Sequence, residues 1–467
     1  MRMLWVRIVA LAAVLAGSGA WAAPEAGTMT IVYSGNTDGE LEPCGCTVQG
    51  NLGGFLRRAT VVDELREQAP DLYLVSSGGL VVSWAPQDRL TGQYILQGMA
   101  HLGYDAVGVQ WTDLAYGEGF LLDGEPLPWV SSNWRGEGFL PAKTIRRDDH
   151  ALAFFSWLDP AASPHMAMNA GGEDVVYGDA QSLARVLRSA RADGALTMLT
   201  TTLPLAEAQR QLPLADVDIL VIESAYEVYG TPQQVGKMLV LQPGSRGMRI
   251  GRLTLTLDDA GRIQSFDHEV IPMPETVADA PRLEAWYAEY NAQVKANYLE
   301  RVALRKVADA GESPFVGEAV CQSCHGRIHE QWSDTEHSGA FAKLEAVNKT
   351  FDPKCIGCHT VGFDQEGGFI DMDATPELIN VQCENCHGAG RAHVDSAGAK
   401  PPAHGDWSPQ QMCAQCHVPE HSPTFVFDRY WPRIRHGADT ATVGPGEGVL
   451  NSSLDKLAPP LQSKAHD

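Results

Sequence analysis

Four short segments of the chain repeat one pattern. Cys321-Gln-Ser-Cys324-His325, Cys355-Ile-Gly-Cys358-His359, Cys383-Glu-Asn-Cys386-His387 and Cys413-Ala-Gln-Cys416-His417 all read Cys-x-x-Cys-His. Paired cysteines at this spacing also occur in zinc sites, but zinc gives no reason for a histidine to follow the second cysteine every time. Covalent haem does. The two thiols fix the porphyrin through thioether bonds, and the histidine beside them reaches iron from one face. The pattern predicts four covalently attached haem c groups, with His325, His359, His387 and His417 as proximal iron ligands.

Each such iron has a second face. A histidine or methionine there makes it low-spin and closed, suited to electron transfer; an open face admits a small molecule. The histidines of this region outside the motifs are His329, His337, His393, His404, His421 and His436. Met412 adjoins Cys413 and is a poorer candidate, because its direction is tied to the motif. Two of the ten cysteines remain, Cys44 and Cys46. They read as a disulfide stiffening a Gly-rich loop, as a strained redox-active pair, or as thiolates for a metal.

The motifs must be positioned by the rest of the chain. Residues 24–273 alternate short apolar runs with helical stripes, which predicts an α/β layered domain. Strands are expected at Thr30–Tyr33, Leu72–Val75, Asp105–Val109, Ala195–Thr200 and Val217–Ile222. Phe55, Ala59, Val62 and Leu65 mark a helix that ends before Pro70. Met248–Met273 reads as a hairpin turning at Asp258–Gly261. Residues 274–312 form a helical linker, with Leu283, Trp286, Tyr287, Tyr290, Val294 and Leu299 on its apolar side. Residues 313–437 hold the four motifs with little regular structure, so the haems themselves must supply much of the core. Residues 438–467, rich in Gly, Pro, Ser and Ala, are expected to be disordered.

The first residues read as an export signal. Arg2 and Arg7 precede a short apolar core, and Ala20-Trp21-Ala22 offers a small-x-small cleavage site, giving a leader of residues 1–23. No later run of about 18 apolar residues predicts a transmembrane helix. The expected product is periplasmic and soluble, where haem c is attached. The formal charge is −23. That surface disfavours nucleic acid and anionic lipid, and favours redox partner proteins with a basic docking face.

Residues 316–437 resemble the tetrahaem cytochrome c-554 family. The matching stretches are CQSCH…QWSDTEHSGAF, KCIGCHTVGFDQEGGF, VQCENCHGAGRAHV and MCAQCH, in the family's order. The resemblance implies three haems with two histidine ligands and a second haem open on its distal side. Carried over, His337 serves the third haem at His387, His393 the first at His325, and His436 the fourth at His417. His404 and His421 are the residues that would close the second haem, at His359, if it is closed. The open site is where nitric oxide or a related nitrogen species would bind.

Residues 28–272 resemble the metallophosphatase domain of secreted 5′-nucleotidases. The echoes are TIVYSGNTDGELEP, GNLGGFLRRATVVDELR, LVSSGG, GYDAVGVQWTDLAYG and VDILVIESAYEVYGTPQQVGKMLVLQPGSRGMRIGRLTL. The resemblance implies a four-layer α/β sandwich, followed by the mainly α and irregular tetrahaem domain. The metal positions of that fold are largely replaced. Its D-x-H pair is Asn36-Thr37-Asp38, its Asp after Gly-Gly is Leu80, its N-H-E triplet is Trp111-Thr112-Asp113, and its G-H-x-H is Ile222-Glu223-Ser224-Ala225. A late histidine falls near Thr200–Thr202. Leu, Trp and Ala cannot ligate metal, so a two-metal hydrolase is not expected. The reading favoured is that the phosphatase chemistry is lost, with a residual single-metal site at Asp38, Asp113 and Glu223 as the weaker alternative. The chain therefore reads as an electron carrier before an enzyme. A nitrogen-oxide reductase is the alternative, and a phosphohydrolase with a haem appendage the weakest reading.

Overall fold

In a computed structural model, the described residues are 27–44, 51–134, 136, 138–162, 178–223, 229–258, 260–308, 312–418, 421–422 and 424–437. The expected leader, Cys46, Ser224, Ala225 and the tail at 438–467 lie outside them. The chain divides into two compact units, residues 1–297 with 417–425, and residues 298–416 with 426–467. Among the described residues, no helix is long and apolar enough to cross a membrane.

The first unit is built on two six-stranded sheets. One has the order β14-β13-β1-β4-β5-β6, where β1 is Thr28–Ser34, β4 Tyr73–Ser76, β5 Ala106–Gly108, β6 Trp129–Val130, β13 Arg249–Leu257 and β14 Ile263–Pro272. The other has the order β11-β12-β10-β9-β8-β7, with β7 at Lys143–Arg147, β8 at His150–Trp157, β9 at Leu196–Thr201, β10 at Ile219–Ile222, β11 at Gln233–Val235 and β12 at Met238–Leu241. The central strands β1, β4, β5 and β6 run parallel, as do β8, β9, β10 and β12. Such strands are covered on both faces, which is why they read as continuous apolar runs.

Strand alternation divides these runs between two cores. Ile31, Tyr33, Val75 and Ala106 meet Phe154, Met198, Ile219 and Val221 in a single cluster between the sheets. On the far side of the second sheet, Phe155, Leu199 and Leu220 pack with Leu183 and Leu187 of the helix Ala180–Ala192. The expected helix over 55–65 runs Phe55–Gln68 and buries Phe55, Ala59, Val62 and Leu65. The hairpin pairs Ile250 with Ile271 and Leu255 with Phe266.

The helix expected in the linker spans Glu284–Ala308, and the boundary between units falls inside it. Leu283, Trp286, Tyr290 and Val294 are buried as expected. Leu299 is not: it is 50% exposed, and Tyr298 and Val302 continue the buried stripe instead. A step of four residues keeps a side chain on the same helical face, whereas Leu299 lies about 100° round from Tyr298.

The second unit has helices of five to eight residues from Glu318 onward, joined by turns. Its buried apolar side chains are few, among them Phe315, Phe341, Leu344, Ile356, Phe369 and Leu378. Phe154 lies fully buried between the two sheets of the first unit. Phe154→Ala should lower that unit's unfolding free energy by about 3–5 kcal/mol, read as a shift of its denaturant midpoint by circular dichroism.

Candidate functional site

All four Cys-x-x-Cys-His motifs fall on or beside short helices. The second occupies the helix Pro353–His359, which Asp352 caps through the Lys354 amide at 3.0 Å. The third is itself the helix Cys383–His387, opened by a capping box between Gln382 and Asn385. The first begins in Glu318–Gln322, and the fourth ends the helix Pro409–Cys413, capped by Ser408. None of the eight motif cysteines is in a disulfide, and all but Cys324 are partly buried. A compact helical turn puts both thiols and the imidazole on one side of the backbone, as attachment to one flat macrocycle requires.

The motifs are not neighbours in chain order. The Cys321 thiol reaches Cys383, joining the first motif to the third. Cys358 and Cys416 meet in the same way, joining the second to the fourth. The third and fourth helices pack together, with Cys386 close enough to feel Cys413. The resulting spatial order is first, third, fourth, second.

The histidines pair across these motifs. The His325 and His393 rings lie 6.2 Å apart at 22°. Those of His387 and His436 lie 5.7 Å apart at 45°. Two imidazoles on opposite faces of one metal, with bonds of about 2 Å and about 1 Å more from nitrogen to ring centre, stand about 6 Å apart. The spacing of both pairs fits a shared iron. Burial drives the His387 pKa down to about 4, with neighbouring histidines adding to the effect, so the ring is held neutral as a ligand must be. The resemblance had placed His436 opposite His417; its ring is against His387. His337, expected there, lies in the turn Glu336–Gly339, where its carbonyl accepts the Val381 amide.

Outer hydrogen bonds orient several rings. His359 Nδ1 lies 2.6 Å from the Ala340 carbonyl, His393 Nδ1 2.7 Å from the Lys400 carbonyl, and His417 Nδ1 3.0 Å from Ser422 Oγ. A donor bond from Nδ1 fixes the tautomer and leaves Nε2 for metal. His325 Nδ1 is buried with no hydrogen-bond partner. These rings and thiols fit haem c. His404 is on the third motif: its amide bonds the His387 carbonyl at 2.8 Å, and its ring stacks on Trp407 at 3.9 Å. His329 bonds Glu318, and the His421 amide bonds the Val418 carbonyl.

Sequence reasoning missed Glu384, inside the third motif. It is 4% exposed and accepts amide hydrogens from Val316 at 3.0 Å, Gly317 at 2.9 Å and Gly390 at 2.7 Å. Beside it Gln382 accepts from the Glu318 amide at 2.8 Å. A charged residue within Cys-x-x-Cys carries no periodic signal, so only its burial reveals it.

In the first unit, the alternative single-metal site at Asp38, Asp113 and Glu223 does not assemble. Asp113 is fully buried and points at backbone, accepting from Gly79 at 2.9 Å, Leu80 at 2.6 Å, Val81 at 3.1 Å and Gln110 at 2.9 Å. Burial pushes its pKa up to about 6 and these four amides pull the other way. Asp38 and Glu223 each accept from the Asn36 side-chain amide at 3.3 Å, and Gln110 Nε2 donates to Asn36 Oδ1 at 2.8 Å. Burial raises the pKa of Asp38, and burial followed by the nearby Asp38 charge raises that of Glu223. Among the described residues, no group of three or more His, Cys, Asp or Glu side chains could hold a metal ion. Cys44 ends a two-residue strand, Pro43–Cys44, which pairs with Leu52–Gly53.

Comparison with known proteins separates the two parts. Residues 320–388, holding the first three motifs, match the family described as cytochrome c554 and c-prime. Cytochrome c-554 of Nitrosomonas europaea is 32% identical over 140 residues, covering 23% of this chain and 60% of that protein. Among solved structures, the sulfate thiohydrolase SoxB of Thermus thermophilus in complex with glycerol aligns with a TM-score of 0.50 and 17% identity, over 58% of this chain and 62% of SoxB. A 5′-nucleotidase precursor of Thermus thermophilus gives 0.49 and 19%, over 58% of this chain and 59% of that one. The chain thus spans about 60% of each relative's length. The C-terminal part is cytochrome c-554-like, a likeness that carries covalent haem c with it. At 17% identity the SoxB likeness establishes fold alone, an α/β sandwich of two sheets.

The four amides on Asp113 make a direct test of the first unit. Asn at this position keeps the volume but turns an NH2 towards two N–H donors. Asp113→Asn should cost about 2–4 kcal/mol of unfolding free energy, measured by urea titration, with haem content unchanged.

Proposed function

We propose that this chain is a periplasmic multihaem electron carrier, with four haem c groups and a front unit that is a non-catalytic docking or binding scaffold. The observation that carries the reading is the pair of facing imidazoles, His325 with His393 and His387 with His436, at the spacing of two ligands on one iron. Each motif cysteine would hold a thioether, and His325, His359, His387 and His417 the proximal nitrogens. Haem c supplies one-electron chemistry, and ligands, burial and hydrogen bonds set its potential. The sulfur contacts suggest a path from the first attachment site through the third and fourth to the second. Export through the leader at 1–23 supports a periplasmic setting. The charge of −23 favours redox partners that dock by a basic face.

A second reading concerns the second site. His404, one of the residues expected to close it, bonds the third motif, with Nδ1 3.3 Å from the Cys386 carbonyl. This favours a second haem with an open distal face, where nitric oxide would bind. In the front unit, Leu80 and Trp111 replace ligating residues and Asp113 is committed to backbone, which supports loss of phosphohydrolase chemistry.

Haem quantified against purified protein should give four per chain. Low-temperature EPR should show low-spin haems from the two facing histidine pairs and a high-spin haem that nitric oxide alters. Four low-spin haems with no nitric oxide response would end the open-site reading and leave the carrier; fewer than four haems would overturn the count. Phosphate release from nucleotides with added Mn²⁺ should not exceed the blank.

A further inference from the structure

The third motif contains a carboxylate that the electron-transfer reading leaves unused. We infer that Glu384 is a positioning residue which locks the first and third attachment helices together, and that its buried negative charge holds those two haems at lower potential. The inference rests on the proposed haem reading and goes beyond it.

The geometry is specific. Glu384 follows Cys383 and precedes Cys386. One oxygen accepts from Gly390, just beyond the third motif; the other accepts from Gly317, at the start of the helix Glu318–Gln322 that carries Cys321; Val316 lies within reach of both. Every one of these contacts is a donor, which favours the ionised carboxylate, while burial acts the other way and raises its pKa. Gln382 bonds the Glu318 amide, while its own amide donates to the carbonyls of Glu377 and Ile379 at 2.7 Å and 2.6 Å. The contact between Cys321 and Cys383 therefore sits within a closed set of hydrogen bonds. At the second and fourth motifs the helix caps are Asp352 and Ser408 on their own helices, and Asn385 of the third motif donates to the Thr360 carbonyl beside His359 at 2.8 Å.

The electrostatic consequence follows from position. Reduction of an iron adds an electron, and a fixed anion nearby in a poorly solvated interior opposes it. Glu384 is 4% exposed, so solvent screens its charge weakly. Its nearest attachment sites are the first and third, so the effect should divide the four haems into two classes.

The test compares Glu384→Gln and Glu384→Asp with the parent protein, each carrying its full haem complement. A haem stain of the parent comes first: a chain without covalent haem would end the electron-transfer reading itself, separately from this inference. Redox titration followed optically and by EPR then resolves the individual haems. In E384Q two of the four midpoints should move positive while the other two stay. Unchanged midpoints, or an equal shift of all four, would overturn the inference. E384D keeps the charge but cannot reach Val316 and Gly317 as well. It should keep the parent midpoints while melting at a lower temperature. If position alone mattered, both variants would move the midpoints alike. Should E384Q fail to mature, E384D decides: matching midpoints support the charge, and displaced ones refute it.

Discussion

In the second unit two pairs of imidazole rings stand about 6 Å apart, the spacing of two ligands on one metal. The rings of His325 and His393 meet it at 6.2 Å, and those of His387 and His436 at 5.7 Å. Helices of five to eight residues have little intrinsic stability in water, and the buried apolar side chains of this unit are few. Its backbone is held by direct welds between motifs, above all Glu384 and Gln382. The contact of the His436 ring with His387 adds a constraint of the same kind, since it ties the end of the unit back to its third motif. The proposed haems would then be structural as well as redox elements.

The first unit shows the reverse relation between fold and chemistry. Two sheets and their covering helices pack around an apolar core that includes Tyr33, Val75, Phe154 and Met198. Asp113 is satisfied by four backbone amides. Asn36 and Gln110 supply the dipoles that remain. A buried carboxylate must be satisfied by something. Backbone amides do so without an ion, and the loop Gly79–Val81 is ordered as a result.

Much of this was legible in the sequence, for reasons that differ by element. The strands at Tyr73–Ser76, Leu196–Thr201 and Ile219–Ile222 were readable because parallel strands covered on both faces are continuous apolar runs. The hairpin was readable from its turn residues. Leu299 misled because hydrophobicity alone does not distinguish neighbours about 100° apart on a helix. The motif cysteines were plain from spacing. The partner of His436 was not: the chain from His417 to His436 is long enough to reach several motifs, so sequence order does not choose among them. The clamp at Glu384 was invisible for a different reason, since its partners are backbone amides, and any residue provides those.

Sequence order and spatial order diverge in the second unit, and the divergence has a cause. The second motif follows the first closely, yet the sulfur contacts join first to third and second to fourth. Between the first two motifs lie the helices Gly326–Ser333 and Ala340–Ala346, and the carbonyl of Ala340 holds the His359 ring. Those helices carry the chain away from the first motif before the second is laid down. The third motif returns, with Val381 bonding the His337 carbonyl and Glu384 bonding Gly317. The second site is thereby left at one end of the series and the first at the other. On the proposed reading, a haem there with an open face would bind a small molecule without interrupting transfer along the rest of the series.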